Sequence, residues 1–432
     1  MMNLHVISLG CDKNRVDTEK MLYRLRGQFN ITDDMADADV IIINTCGFIL
    51  SAREESINTI LEAANYKKDG KCRKLIVTGC LAQKYASELK EDLPEVDAFL
   101  GTNDYDKIGE ALEGEEVICY NSANPCEEIG ERILTTPPHF AYLKIADGCD
   151  NRCTYCTIPS IRGRYRSTDI ESLLGEAKSL SDSGVKELIL VAQDVTRYGI
   201  DLYGEYKLVE LIRRLSELDF SWIRLMYCYP ELVTDKLIDE IKNNPKVAKY
   251  IDIPLQHVDG DILKKMNRLS TEQSIYEVLN KLKEAGIAVR TTLMTGFPTE
   301  SDEQFDKLYN FVLDNKLRHV GVFAYSDEDT PSSKMKGKVP NYVRHNRAKK
   351  IAMAHKNNVK EYNKSMIGKT VRVLYEDVDY DKMLFKGRTE DCAPDIDTYV
   401  YFKSDFADVG KFYNVKITGY KGYDLIGELV NE

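Results

Sequence analysis

Three cysteines crowd into the segment DGCDNRCTYCTIPSIRGR: Cys149, Cys153 and Cys156, spaced C-x3-C-x2-C. Three thiolates on one short loop are a ligand pattern for an iron–sulfur cluster, which is ordinarily held by four. One iron would then lack a protein ligand and stand open to a cofactor or substrate. Zinc is the competing metal, but a structural zinc site closes with a fourth nearby Cys or His. The nearest histidine, His139, precedes the strand that leads into the loop. A second set is dispersed. Cys11, Cys46 and Cys80 each follow a short apolar run within three residues and lie 35 and 34 residues apart. That interval is one strand, helix and return loop, so all three stand at the carboxyl edge of a parallel sheet, where ligands bind. Singly, each reads as a small buried strand cap; their equivalent placement points to convergence.

The elements that must position these residues are legible as apolar runs. Leu4 to Leu9, Val40 to Ile43 and Leu75 to Thr78 alternate with helical stretches, the pattern of βα units. The pair Pro137 and Pro138 marks a boundary. Six further strands are predicted: Phe140 to Ile145, Glu187 to Gln193, Trp222 to Tyr227, Tyr250 to Leu255, Ala288 to Met294 and His319 to Tyr325. Helices between them include Ile170 to Ser183 and Ser274 to Ala285. This repetition predicts a partial (β/α)6 barrel with its site at the strands' carboxyl ends. Asn341 to Lys364 reads as a helix with seven Lys or Arg against Glu361 alone. Beyond Gly368 come five short strands, Thr370 to Tyr375, Met383 to Gly387, Tyr399 to Phe402, Tyr413 to Thr418 and Asp424 to Leu429. They predict a small closed β-barrel. The fold class is therefore α/β: an open parallel α/β domain (1–136), a TIM-like partial barrel (137–338), a basic linker helix (339–365) and a small antiparallel β-barrel (366–432).

The composition is compatible with this layout. The chain has 432 residues, 43% hydrophobic and 30% charged, with a net charge of −11. An acidic balance argues against a chain-wide electrostatic grip on nucleic acid or anionic lipid, though not against a local basic patch. The N-terminus MMNLHVISLG has neither a basic region nor a long apolar stretch, so no signal peptide and no membrane span are expected. Eleven cysteines in a cytoplasmic chain are metal ligands, catalytic groups or core filler before they are disulfides.

The C-x3-C-x2-C loop on a partial (β/α)6 barrel resembles the radical S-adenosylmethionine (SAM) enzymes. The resemblance implies that the open iron chelates the amino and carboxylate groups of SAM, whose reductive cleavage gives methionine and a 5′-deoxyadenosyl radical. Tyr155 matches the aromatic position beside adenine. Over the whole chain, SLGCDKNRVDTE, NTCGF and VTGCLAQ, around Cys11, Cys46 and Cys80, are similar to the methylthiotransferases. There the N-terminal cysteines hold a second [4Fe-4S] cluster that takes part in sulfur insertion. The C-terminal segment resembles the TRAM module. YLKIADGCDNRCTYCTIPSIRGR, YIDIPLQHVDGDILKKMNR and VGVFAYSDEDTPSSKM look like the branch that modifies an aspartate of small-subunit ribosomal protein S-twelve, the RimO type. The resemblance implies a transferase of sulfur-containing groups with two [4Fe-4S] clusters, two SAM molecules, and a flavodoxin or ferredoxin as reductant.

Charge offers a separate check on the substrate. Residues 366–432 carry nine Lys or Arg and thirteen Asp or Glu. A module gripping tRNA should be basic, whereas an acidic one suits a basic ribosomal protein; surface acids kept for solubility would look the same. The basic helix points the other way, toward ribosomal RNA or a solvated face. Gln193, Asp194, Gln256 and His257 end barrel strands, Arg290 and Thr292 lie within one, and Thr295 to Pro298 forms a strand-end loop. Gln193, Asp194, Gln256 and Arg290, with Tyr155, are the expected cofactor contacts; core hydrogen bonding or turn geometry is the alternative for each. Arg162, Arg164 and Arg166 would attract an acidic side chain or lie exposed. Cys72, Cys119, Cys126, Cys228 and Cys392 fit neither triplet and read as structural. Two rival functions remain open at this point: 2-methylthiolation of an N6-modified adenosine in tRNA, and a non-catalytic iron–sulfur protein that binds RNA or senses iron.

Overall fold

A computed structural model of the chain describes residues 1–114, 117–119, 131–404 and 407–430. They pack as two compact units. The first holds Met1–Thr135, Asp147–Arg152 and Cys156–Arg166; the second holds Thr136–Ala146, Cys153–Tyr155 and Ser167–Glu432.

In the first unit six parallel strands form one sheet: β1 (Met2–Ser8), β2 (Phe29–Ile31), β3 (Val40–Thr45), β4 (Lys74–Gly79), β5 (Ala98–Leu100) and β6 (Val117–Cys119), in the order β2-β1-β3-β4-β5-β6. The central strands β3 and β4 are buried along almost their whole length. That is why they read as unbroken Ile and Val runs rather than alternating ones. Three helices follow the cysteine-bearing strands: α1 (Asp12–Arg24), α2 (Leu50–Asp69) and α3 (Cys80–Asp92). The expected β1, β3 and β4 are present; β2, β5 and β6, three residues each, carry too little pattern to be read from the sequence.

In the second unit six more parallel strands make an open barrel: β7 (Phe140–Lys144), β8 (Glu187–Val191), β9 (Trp222–Leu225), β10 (Val247–Asp252), β11 (Ala288–Thr295) and β12 (His319–Ala324), paired in chain order. A long helix, α4 (Asn341–Met366), leads to a closed five-stranded barrel of β13 (Thr370–Asp379), β14 (Leu384–Arg388), β15 (Val400–Lys403), β16 (Phe412–Lys421) and β17 (Asp424–Leu429). This small barrel is not wholly antiparallel: β15 and β17 pair in parallel, the other pairs antiparallel. Its interior is filled by Val373, Tyr375, Val400, Phe402, Val415, Ile417 and Leu425.

Six strands leave a barrel unclosed, and the connection between β14 and β15 fills the end where the strands begin. Ala393 packs among Phe140, Ile189, Met226, Ala248 and Tyr250. Arg388 reaches in beside it, fully buried, and holds Glu187 on β8 at 2.6 Å and Glu376 on β13 at 2.5 Å. Glu187 also pairs with the buried Arg224 on β9 at 2.5 Å, and His139 meets Glu376 at 3.1 Å. Asp397, from the same connection, accepts from Tyr250 at 2.8 Å and pairs with Arg290 and His319 at 3.4 and 3.2 Å. With this mouth closed by protein, the carboxyl ends of the strands are the end left for a ligand. α4 is not simply a basic solvated rod either. Arg344 and Arg347 turn inward, to Asp327 at 3.0 Å and to Glu300 and Asp302 at 2.8 and 2.6 Å, leaving the five lysines exposed.

Arg388→Met strips Glu187 and Glu376 of a shared partner in a dry site, so urea unfolding should show a loss of about 3–5 kcal/mol; unchanged stability would contradict the packing described. Burial would raise the Glu376 carboxyl, but Arg388 and His139 overcome it and hold it at about 2. Its folded value thus lies below the unfolded value of about 4.3. The stabilisation is full above that pH and drains away as pH falls toward 2. An acid-unfolding series of Glu376→Gln should accordingly be flatter across this window than that of the parent protein.

Candidate active site

The first unit draws Cys11, Cys46 and Cys80 to one edge of its sheet. Cys11 lies between β1 and α1, Cys46 directly after β3, and Cys80 opens α3 immediately after β4. Two glycines show how closely the loops meet. Gly10 (φ +93°) and Gly79 (φ +95°) both adopt the left-handed conformation. A Cβ on Gly10 would stand 2.9 Å from Cys46 Cβ; one on Gly79 would stand 2.6 Å from the Thr45 carbonyl and overlap Asn44. Neither position admits a side chain without moving a cysteine loop.

One side chain touches all three loops. Asn14, on the first turn of α1 and 1% exposed, donates from Nδ2 to the Leu9 carbonyl at 3.2 Å and the Thr45 carbonyl at 3.0 Å. Its Oδ1 accepts from Cys80 Sγ at 3.6 Å and from Arg162 Nη2 at 2.6 Å. Asn44 on β3 ties the Asn14 carbonyl to Thr18. Arg162, six residues after Cys156, is 1% exposed rather than presented to a substrate. It pairs with Asp147 at 2.9 Å and Asp17 at 3.1 Å, and its Nη2 lies 3.8 Å from Cys80 Sγ. Arg166 also turns to its own unit, toward Asn103 at 3.1 Å, while Arg164 is exposed.

Burial disfavours the charged form of two of these thiols. Burial pushes the Cys80 thiol up to about 12, against the lowering effect of Arg162 and with further upward pressure from Cys11 and Cys46. Burial raises Cys46 as well. Metal binding replaces those protons, and helix N-termini at Cys11 and Cys80 favour the thiolates that result. Among the described residues His319, Asp391 and Cys392 also bring three possible metal-ligand atoms together.

Cys149, Cys153 and Cys156 follow β7 on one loop. The Cys149 amide donates to the Gly163 carbonyl at 3.1 Å, and the Ile158 amide to Cys156 Sγ at 3.4 Å. In the second unit Thr154 is clamped to Met266 and Ser332 through its backbone, at 3.1 and 2.9 Å. Tyr155 lies against Ile262, Met266, Phe297 and Tyr325. Cys153 Sγ is 3.7 Å from the Tyr229 hydroxyl, and the buried Arg268 stacks 4.2 Å over the Tyr229 ring while donating to the Pro254 carbonyl at 2.8 Å. Arg268 and Asn14 escape sequence reading because nothing in their spacing separates them from ordinary surface residues.

At the carboxyl ends of the strands, Gln193 is half-buried after β8 and Asp194 fully buried, accepting from Thr196 at 2.5 Å and pairing with Arg197 at 3.5 Å. Gln256 sits at φ +70°, bridged to β11 by Gln256 N to Thr292 O at 2.8 Å and Met294 N to Gln256 O at 2.7 Å. Tyr227 and Thr299, after β9 and β11, share that left-handed backbone (φ +57° and +72°). Such strain collects where loops are shaped for ligands. Arg290 is already shared between Asp252 at 3.0 Å and Asp397. Burial pushes the His257 imidazole down to about 4. Its Nδ1 accepts from the Asp259 amide at 3.0 Å, leaving a neutral ring with its proton on Nε2, 3.9 Å from Glu300. Glu300 also takes the amides of Gly296 and Phe297 at 2.5 and 3.2 Å, so the 295–298 loop is fixed from within the protein. Of the remaining cysteines, Cys72, Cys228 and Cys392 are buried; Cys392 sits 3.9 Å from Arg318, whose charge opposes a cation there. Cys126 lies outside the described residues.

Comparison with known proteins matches residues 3–101 to the Uncharacterized protein family UPF0004, 143–312 to the Radical SAM superfamily and 367–430 to the TRAM domain. The radical SAM domain brings an iron–sulfur cluster and SAM as cofactors. The ribosomal protein uS12 methylthiotransferase RimO of Clostridium botulinum is 46% identical over 437 residues, covering 99% of this chain and 98% of that protein. The RimO of Clostridium tetani is 45% identical with the same coverage. Among solved structures, the radical SAM methyltransferase TsrM from Kitasatospora setae aligns with a TM-score of 0.55 at 12% identity, over 76% of this chain and 73% of that one. The cobalamin-dependent radical enzyme OxsB aligns at 0.53 and 12%, over 82% and 56%. At such identity these two speak for the fold alone. With near-half identity sustained from end to end across three domains in the same order, the chain belongs to the ribosomal protein uS12 methylthiotransferase (RimO) family of radical SAM enzymes.

Proposed function

We propose that this protein converts a C–H bond at the β-carbon of an aspartate of ribosomal protein uS12 into C–S–CH3, using two [4Fe-4S] clusters and two SAM molecules. The observation that carries the reading is the 46% identity to RimO across 99% of the chain, a span that includes both cysteine sets. Cys149, Cys153 and Cys156 hold the first cluster and leave one iron for SAM; Cys11, Cys46 and Cys80 hold the second. When bound, the first cluster and SAM supply hydrogen abstraction by a 5′-deoxyadenosyl radical. The protein's share is to orient and to exclude water.

Tyr155 packs beside the cysteine loop, and Gln193, Asp194 and Gln256 lie at the carboxyl ends of barrel strands, the edge where a cofactor binds. In this reading these four contact SAM. Arg290, engaged by two carboxylates, acts through Asp252, whose Oδ2 accepts the Tyr227 amide at 3.0 Å and so shapes the left-handed turn after β9. The acidic small barrel faces a basic ribosomal protein, and the five exposed lysines of α4 are available to ribosomal RNA. A flavodoxin or ferredoxin delivers electrons, and the reaction belongs in the cytoplasm. Among the described residues no helix is long and apolar enough to cross a membrane.

Reduced enzyme incubated anaerobically with small ribosomal subunits and, separately, with tRNA should add the methylthio mass to uS12 only; a gain confined to tRNA would reassign the substrate. In the same assay, Cys149→Ala should abolish 5′-deoxyadenosine formation. Cys80→Ala should leave that cleavage in place and remove methylthio product. Equal loss of both activities in both variants would contradict the separation of roles.

A further inference from the structure

Arg162 is a buried cation for which neither the fold nor the radical step has accounted. It stands in the first unit, six residues beyond Cys156, yet its guanidinium ends 3.8 Å from Cys80 Sγ. Four other contacts fix it there: Asp147 through both oxygens at 3.1 and 2.9 Å, Asp17 at 3.1 Å and Asn14 Oδ1 at 2.6 Å. An arginine kept for packing alone would be satisfied by its carboxylates. This one shares Nη2 between Asp17, Asn14 and a sulfur, and the Asn14 that receives it is the residue bonded to the loops of Cys11, Cys46 and Cys80.

We infer that Arg162 is the positioning and potential-setting residue of the inorganic core held by Cys11, Cys46 and Cys80. The inference rests on the reading that these cysteines hold a [4Fe-4S] cluster. The potential of such a cluster is set by net charge, by hydrogen bonds to its sulfurs and by solvent exposure. Arg162 acts on the first two: a fixed positive charge and an N–H beside a ligand sulfur both stabilise the more negative, reduced state. Asn14 holds the same guanidinium and the Leu9 and Thr45 carbonyls, so the charge and the cysteine loops keep one geometry. The segment directly after the barrel cysteines thereby sets the redox level of the N-terminal set.

The test uses the full chain with Cys149, Cys153 and Cys156 replaced by Ala, so that any cluster formed on anaerobic reconstitution with iron and sulfide is the N-terminal one. Iron content, the electron paramagnetic resonance spectrum and the midpoint potential are read out without substrate. Arg162→Gln should shift the potential to more negative values, and Arg162→Lys, which keeps a charge near Cys80, should restore part of the shift. Because Arg162→Gln leaves two carboxylates without their cation, Asp147→Asn is measured alone and combined with Arg162→Gln; the double variant should again lie below Asp147→Asn. A cluster that forms normally with a potential unmoved by Arg162→Gln in either background overturns the inference. Failure of the Ala-substituted chain with Arg162 intact to form any cluster overturns the reading on which it rests, and is distinguished by its iron content.

Discussion

The close meeting of three strand-end loops governs the first unit. Gly10 and Gly79 leave no room for a side chain, and Asn14 fastens the loops at Leu9, Thr45 and Cys80 with one amide group. A buried amide that satisfies donors and acceptors from three elements specifies a geometry that hydrophobic packing alone would leave adjustable. The cost is a dry, polar site that stores an arginine against two aspartates.

The second unit solves a different problem. An open six-stranded barrel needs its amino-terminal mouth closed, and the β14–β15 connection closes it with Ala393 and the Arg388, Glu187 and Arg224 network. The small barrel is therefore part of the catalytic barrel's own packing, as well as a segment with more acidic than basic residues. Arg290 belongs to this arrangement: its carboxylate partners come from β10 and from the plugging connection, which makes it a link between the plug and the turn that carries Tyr227.

What the sequence made legible follows from how local each signal is. Cys11, Cys46 and Cys80 could be grouped because one βα unit has a nearly constant length, and the barrel strands could be found because buried parallel strands are continuous apolar runs. β2, β5 and β6 are not legible because three residues are too few to show a period. Arg162 was expected to be exposed or to meet an acidic substrate group. Its true partners, Asn14 and Asp17, lie about 145 positions away, and only folding brings them together. Arg344 and Arg347 were legible as helix charge but not as inward-facing ion pairs, because a charge count does not say which face of a helix is buried.

The proposed function depends on two separate cysteine sets that each hold a four-iron cluster. Iron and sulfide quantification after anaerobic reconstitution tests it most directly, on the parent chain and on two variants in which one set at a time is replaced by Ala. About eight irons per chain are expected in the parent and about four in each variant, with distinct paramagnetic signals for the two sites. A parent chain that holds about four irons, all lost when Cys149, Cys153 and Cys156 are removed, would contradict it.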